Sequence, residues 1–425
     1  MSTGNGLRLA ISLLGVLAIL PSLAYAGTLK FTVDDADGAL GRTGAPQRLD
    51  ATSGDLPGVG VLIDVASGQA VPCQVDRHTL TWHLAQPAAT AKEESTARTL
   101  WWLMPPGPAG KRAFEFRPAG NDGEKTTLHV AVSDDKSHVD ILDGDKLVLR
   151  YHYGNAPLPE GVPARYACGD YIHPLCGPDG ETLTDAHPKD HPHHRGVMWT
   201  WPVTKWNGQR TNPWVCQGCW TRPEALSDPE VGPVFAQFRA RQLWKWGDKE
   251  PVVRQEVTIR AYRQVNRCRT IDIGLRLTAL VDGLTISGEP PEGYGGFGLR
   301  MARAKDQKII VFSETNKRER AGNVVNESRS WGDYSDTFAG GTGRTGVTLL
   351  EHVTNPGYPN AWRKYPNLSF LMPTYPGPRD VPLPKDQPVE LHHRLWIHAG
   401  DADNAMLADQ CAAYAAPPVK DIQKE

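Results

Sequence analysis

Thr270-Ile271-Asp272-Ile273-Gly274-Leu275-Arg276-Leu277-Thr278-Ala279-Leu280 decides the fold class of this chain. Ile271, Ile273, Leu275 and Leu277 recur at every second position, with Asp272, Gly274 and Arg276 between them. Successive side chains of a strand point to opposite faces, so the pattern makes a half-buried antiparallel strand. Pro251–Tyr262 is its expected partner. Downstream, Phe297–Met301, Lys308–Phe312, Gly346–His352, Leu368–Met372 and Val389–His398 read as further strands. Upstream, short runs do the same: Thr28–Val33, Gly60–Val65, Val71–Leu84, Leu100–Met104, Ala113–Arg117, Thr127–Ser133, Val139–Leu142 and Lys146–Tyr153. Asp143-Gly144 between two of these runs signals a hairpin. One segment breaks the rule. In Asp403–Ala415, Met406, Leu407, Cys411 and Tyr414 recur near a spacing of 3.6, an Asp at 401 or 403 is placed to cap, and Pro417 ends the helix.

Gly 42 and Pro 35 in 425 residues interrupt the chain too often for a mainly helical protein. The expected fold is therefore all-β: a small N-terminal β-sandwich over residues 27–150, a large antiparallel supersandwich over 151–416 with one C-terminal helix, and a tail at 417–425. Lys+Arg number 46 against 48 Asp+Glu, a net charge of -2. With no basic excess to neutralise phosphates, nucleic acid is excluded as the main partner. Residues 1–26 read as a secretory signal. Arg8 precedes the apolar run Leu9–Leu20, Pro21 ends it, and Ala24-Tyr25-Ala26 makes a cleavage site before Gly27. The run is too short to span a bilayer, and no later segment reaches that length. A periplasmic or secreted protein without a membrane span in its mature chain is expected. Seven Cys then face an oxidising compartment. Cys216/Cys219 and Cys168/Cys176 are the close pairs, and a structural disulfide is the expected use of the C-x-x-C.

Between residues 154 and 230 regular alternation stops, and Pro, Gly, His, Trp and Cys crowd together. Here lies Asp190-His191-Pro192-His193-His194-Arg195-Gly196, three His with an Asp and an Arg, in a chain of 14 His. If extended, His191 and His193 share one side and His194 takes the other. Such an i, i+2 pair suits a divalent transition metal, zinc or manganese, and the same imidazoles suit acid/base catalysis. Asp190 would orient a His, and Arg195 would hold a substrate carboxylate or hydroxyl. The glycine-rich stretch from Glu292 to Arg300 reads either as a bulged start to a strand or as an entry that places Tyr294 and Arg300 at a cleft. Trp331-Gly332-Asp333-Tyr334 offers a carboxylate, and His352 and Trp362 lie further along the chain. His393 lies on the apolar face of its strand with Leu391 and Leu395 and reads as core. Trp199, Trp201, Trp206, Trp214, Trp220, Trp244 and Trp246 cluster near the loop-rich stretch. Flat rings that stack on pyranose faces make a carbohydrate the expected partner, although Trp is as often core in a sandwich.

The stretch from Tyr151-His152-Tyr153-Gly154 through Tyr171-Ile172-His173-Pro174-Leu175 to the Asp190–Gly196 motif resembles the PmoA-like family of secreted bacterial proteins. So do Tyr294-Gly295-Gly296-Phe297, Trp331-Gly332-Asp333-Tyr334, Asn355-Pro356 and Leu395-Trp396-Ile397-His398-Ala399-Gly400-Asp401. The resemblance spans roughly residues 145–405. It implies a galactose-mutarotase-like supersandwich, whose sites use His and a carboxylate on the concave sheet. By that analogy His193 or His194 would work with Asp333 or Glu292. The function expected is an exported carbohydrate-active enzyme using His/carboxylate acid-base chemistry for hydrolysis, elimination or epimerisation. Its catalytic residues would be His193, His194, Asp333 and His352. Arg195, Trp199, Tyr294, Arg300 and Trp362 would bind substrate, and His191 with His193 would hold any metal. The alternatives are a non-catalytic glycan-binding protein and a copper-dependent oxidase.

Overall fold

The computed structural model describes residues 27–425 except 53–55, 57, 77–79, 85–89, 94–96, 119–125, 312–323, 326–330, 401–403, 417–418, 420–421 and 425. The expected signal at 1–26 and the expected helix cap at 401 or 403 lie outside the described residues.

Arg269–Ala279 sits inside an antiparallel sheet, as its alternation requires. Ile273 stands opposite Ile259 on Glu250–Tyr262 and opposite His393 on Val389–Ala399. Outward on one side lie Phe235–Trp246, Cys219–Ser227, Leu80–Leu84 and Thr90–Glu93. On the other side lie Thr345–Glu351, Trp331–Asp336 and Lys308–Val311. A second sheet runs in the order Leu128–Val132, His138–Asp143, Lys146–His152, Tyr171–Leu175, Val197–Thr200, Gly296–Arg300, Phe370–Thr374, Ala361–Tyr365 and Val324–Val325. The two sheets close on one core, to which Ile271, Ile273, Leu275 and Leu277 contribute from the first and Ile172, Val197, Trp199, Leu299 and Leu371 from the second. Burying rows of branched and aromatic side chains between facing sheets is what holds such a sandwich together.

Alternate residues of the second sheet look the other way. Tyr171, Met198, Phe370 and Met372 form a separate apolar cluster with Trp214 on its outer face. Loops from the irregular stretch cover that face, and the candidate site lies there.

The small sandwich packs Leu29–Asp35, Gly110–Pro118, Gly60–Asp64 and Ala70–Val71 against Pro46–Thr52, Ala97–Leu103 and Cys73–Asp76. Its boundary differs from the expected residue 150. The hairpins over 128–152 pair onto Tyr171–Leu175 and bury Val139, Ile141 and Leu149 in the main core. Within the expected tail, Ile422–Lys424 pairs with Leu29–Asp35. The expected helix forms at Asn404–Ala415 and seats Leu407 against Trp331, Leu350 and Trp396. A five-residue helix, Ala39–Thr43, accompanies it, tied by an Arg42–Asp409 ion pair of 2.9 Å. Among the described residues no helix is long and apolar enough to cross a membrane.

Candidate functional site

Asp190–Gly196 is a turn, not an extended segment. Ala186 bridges Arg195, the His187 amide donates to the His194 carbonyl at 2.8 Å, and the His194 amide donates to the His191 carbonyl at 2.9 Å. His187 Nδ1 lies 2.7 Å from the Pro192 carbonyl. The Gly196 amide donates to the Asp185 carbonyl, and its own carbonyl accepts from the Arg300 amide, both at 2.8 Å. This pins the turn to the strand Gly296–Arg300. The consequence corrects the extended reading: His194 is on the same side as its neighbours. Ring centroids are 4.8 Å apart for His191 and His194, 4.6 Å for His193 and His194, and 5.5 Å for His191 and His193.

The three imidazoles line one wall of an open cavity of about 290 Å³. Trp214 and Val215 come from the 212–217 loop, where Asn212 Oδ1 accepts from the Val215 amide. Glu292 and Tyr294 come from the glycine-rich entry, and Tyr365, Leu368, Phe370 and Met372 from the strands Ala361–Tyr365 and Phe370–Thr374 and the turn between them. Trp214 meets Tyr294 at 5.5 Å and Phe370 at 6.0 Å between centroids, and Phe370 meets His194 at 4.8 Å. Phe370 has room because residue 298 is glycine: a Cβ there would come within 2.7 Å of the Phe370 ring. Glu292 is the one carboxylate among the described lining residues. Its Oε2 accepts from the Tyr365 hydroxyl at 3.0 Å, and its carbonyl accepts from Arg363.

Arg300 stands behind the wall, buried. Its Nη2 donates to both carboxylate oxygens of Asp190, at 3.1 and 3.3 Å, and Nη1 lies 3.4 Å from His194 Nδ1. A guanidinium only donates, so His194 Nδ1 accepts and its proton belongs on Nε2. Asp190 Oδ2 is also 3.4 Å from His191 Nδ1. Burial pushes the His193 imidazole down to about 4, with the neighbouring charges of His191, Arg195 and Arg300 adding to it. Burial lowers His194 further. Both rings are therefore neutral near pH 7.

Several expected site residues are elsewhere. Arg195 turns inward and donates to the sulfurs of Cys168 and Cys216, because the bridge at Ala186 fixes its direction away from the cavity. Trp199 is core, stacked between Tyr151 and Phe297, since its strand faces inward at odd positions. Trp362 is also core, packed where Gly332 leaves space. Asp333 is fully buried, accepting from Thr348 Oγ1 at 2.7 Å and from His398 Nε2 at 3.0 Å. His352 lines a different cavity of about 280 Å³, with Trp101, His392, Arg394 and Tyr414. His393 is buried as read, stacked on Phe297 at 4.1 Å. The expected Cys216–Cys219 disulfide is not formed: all seven Cys are thiols, and Cys216 faces Cys168 instead. His191, His193, His194, Glu292 and Tyr294, with Arg300 one layer behind, are the expected residues that the fold brings together. Tyr365, Phe370 and Met372 join them without a local motif to mark them.

The expected metal pair, His191 and His193, meets edge to face at 67°, with ring centroids 5.5 Å apart. Among the described residues no group of three or more His, Cys, Asp or Glu is placed to hold a metal ion.

Fold and site define an antiparallel β-sandwich protein with an aromatic, histidine-walled pocket on the outer face of one sheet. Residues 138–412 match a family of unknown function, DUF6807, and the chain belongs to that family. No curated protein matches it. Among solved structures, a protein in the glycosyl hydrolase family 38 from Enterococcus faecalis is similar over 92% of this chain, at 7% identity and a TM-score of 0.43. The match covers 47% of that protein, so this chain spans about half its length.

Proposed function

We propose that the pocket binds a carbohydrate ring and moves a proton on it. The observation that carries this reading is the combination in one cavity of an aromatic wall, three adjacent imidazoles and a carboxylate. Trp214 and Tyr294 offer apolar faces to the C–H groups of a pyranose. Neutral His193, the more accessible of the two depressed imidazoles, takes the proton. His194, with Nδ1 held by Arg300, offers its Nε2–H to an oxygen that gains charge. Glu292, oriented by Tyr365, serves the opposite face. Hydrolysis by the usual route needs two carboxyl groups across the scissile bond, and the described lining supplies one. Epimerisation, elimination or ring opening at the hemiacetal therefore fits better than hydrolysis. The export expected from residues 1–26 and the PmoA-like resemblance belong to this same reading.

A second reading, a glycan-binding protein without turnover, is favoured by the low basicity of His193 and His194, which weakens them as proton acceptors. Calorimetric titration with a panel of aldoses, uronic acids and short glycans, paired with NMR in D2O, separates the two. The enzyme incorporates solvent deuterium or speeds anomer exchange. His193→Ala then loses that turnover at least 100-fold at nearly unchanged affinity, and Trp214→Ala weakens binding roughly 10-fold or more. Binding without exchange in any sugar selects the second reading. Absence of binding across the panel overturns both.

A further inference from the structure

Behind the His wall, Arg195 enters a small space of about 20 Å³ bordered by Cys168, Asp170, Cys216 and Trp220. Its Nη1 donates to Cys216 Sγ at 3.0 Å and to Cys168 Sγ. The two sulfurs are 3.4 Å apart and both residues are buried. They join distant pieces of chain. Cys168 ends the loop that carries Tyr166, and Cys216 comes directly after Trp214 and Val215 of the cavity wall.

We propose that Cys168 and Cys216 form a disulfide that ties the Trp214 loop to the loop before Gly169. Bond formation requires the sulfurs to close from 3.4 Å to about 2 Å, a side-chain adjustment. A low-molecular-weight disulfide such as oxidised glutathione supplies the oxidant before the loops close over the thiols. Cys216, as thiolate, attacks one of its sulfurs and expels one glutathione thiolate. Cys168, deprotonated in turn, attacks Cys216 Sγ and expels the second. Two protein thiols lose two electrons and two protons, and one glutathione disulfide becomes two thiols. Once the sulfurs are oxidised, the Asp170 carboxyl at the same space is the counter-charge left for Arg195.

The spacing of Cys216 and Cys219 points to a different bond, so peptide mapping decides. The reduced full-length protein is refolded from denaturant in the presence of oxidised glutathione, its remaining thiols are alkylated in denaturant, and it is digested without reductant for mass spectrometry. The expected product is a peptide pair linked through Cys168 and Cys216. It persists in Cys219→Ser, vanishes in Cys168→Ser, and its reduction lowers Tm by roughly 5 °C. Alkylation of both Cys168 and Cys216, or a Cys216–Cys219 link in their place, overturns the proposal. The bond does not depend on the carbohydrate reading, and a protein that binds no sugar leaves it standing.

Discussion

Gly196→Ala is expected to cost roughly 3–5 kcal/mol of stability and to abolish ligand binding at the pocket. Residue 196 has φ +54°, which an L side chain adopts at a cost of about 1 kcal/mol. The larger part is steric. A Cβ would lie 2.1 Å from the Ile172 carbonyl and 3.1 Å from His173 Cβ. That carbonyl belongs to the strand Tyr171–Leu175, which pairs with Val197–Thr200 beside the glycine, so neither backbone has room to retreat. Relief must come by opening the ladder or by moving the turn, and the turn holds all three imidazoles. Gly144→Ala is the control. Gly144 has φ +58° and nothing within 4 Å of its Cβ position, so only the dihedral penalty of about 1 kcal/mol applies. Urea unfolding of both variants measures the difference. Equal losses would show that the turn is not locked against Ile172.

Why the turn was legible as a candidate site but not as a shape has a physical reason. Its composition singled it out, because three imidazoles, a carboxylate and a guanidinium cluster at a polar cost that an ordinary loop does not bear. Its conformation depends on partners far along the chain: the Arg300 amide, the Asp185 carbonyl and the Ile172 carbonyl. The strand Arg269–Ala279 was legible because alternation is a local property, and the same is true of the Asp143-Gly144 hairpin. Alternation does not say which of two apolar faces meets the other sheet. Met198 and Trp199 are neighbours, both buried, and one faces the pocket cluster while the other enters the core. Trp362 and Asp333 fell to the same ambiguity. Phe370 and Met372 reach the site only through pairing of Phe370–Thr374 with Gly296–Arg300, a contact between segments that no spacing near His194 announces.

Acidification is expected to unfold the protein well before its carboxylates titrate out, with Tm highest near pH 6.5–7 and lower by on the order of 10 °C at pH 4.5. Burial lowers His152, His173 and His193 from 6.5 to about 4, His393 to about 3, and His194 in the same direction. Their stabilising effect is complete above the unfolded value of 6.5. It is lost as pH falls toward the folded values, because the unfolded chain binds protons that the folded one refuses. Asp170 and Glu351 work in the opposite sense. Burial raises them to about 6 and about 7, so the folded protein keeps their protons where the unfolded chain ionises, and their contribution fades as pH rises through those values. Near pH 5 the five imidazoles outweigh the two carboxyls, and the net slope favours the folded state as pH rises. His393→Gln tests the assignment at a core ring that does not line the pocket. The variant removes one titrating ring from the core and is expected to flatten the fall in Tm between pH 6.5 and 4.5, whatever it does to stability at pH 7. A wild-type Tm that stays level or rises on acidification would mean that the buried imidazoles take up protons in the folded state. In that case His193 would also be charged in the working pocket, its role would change from proton acceptor to proton donor, and the pH dependence of deuterium exchange would invert with it.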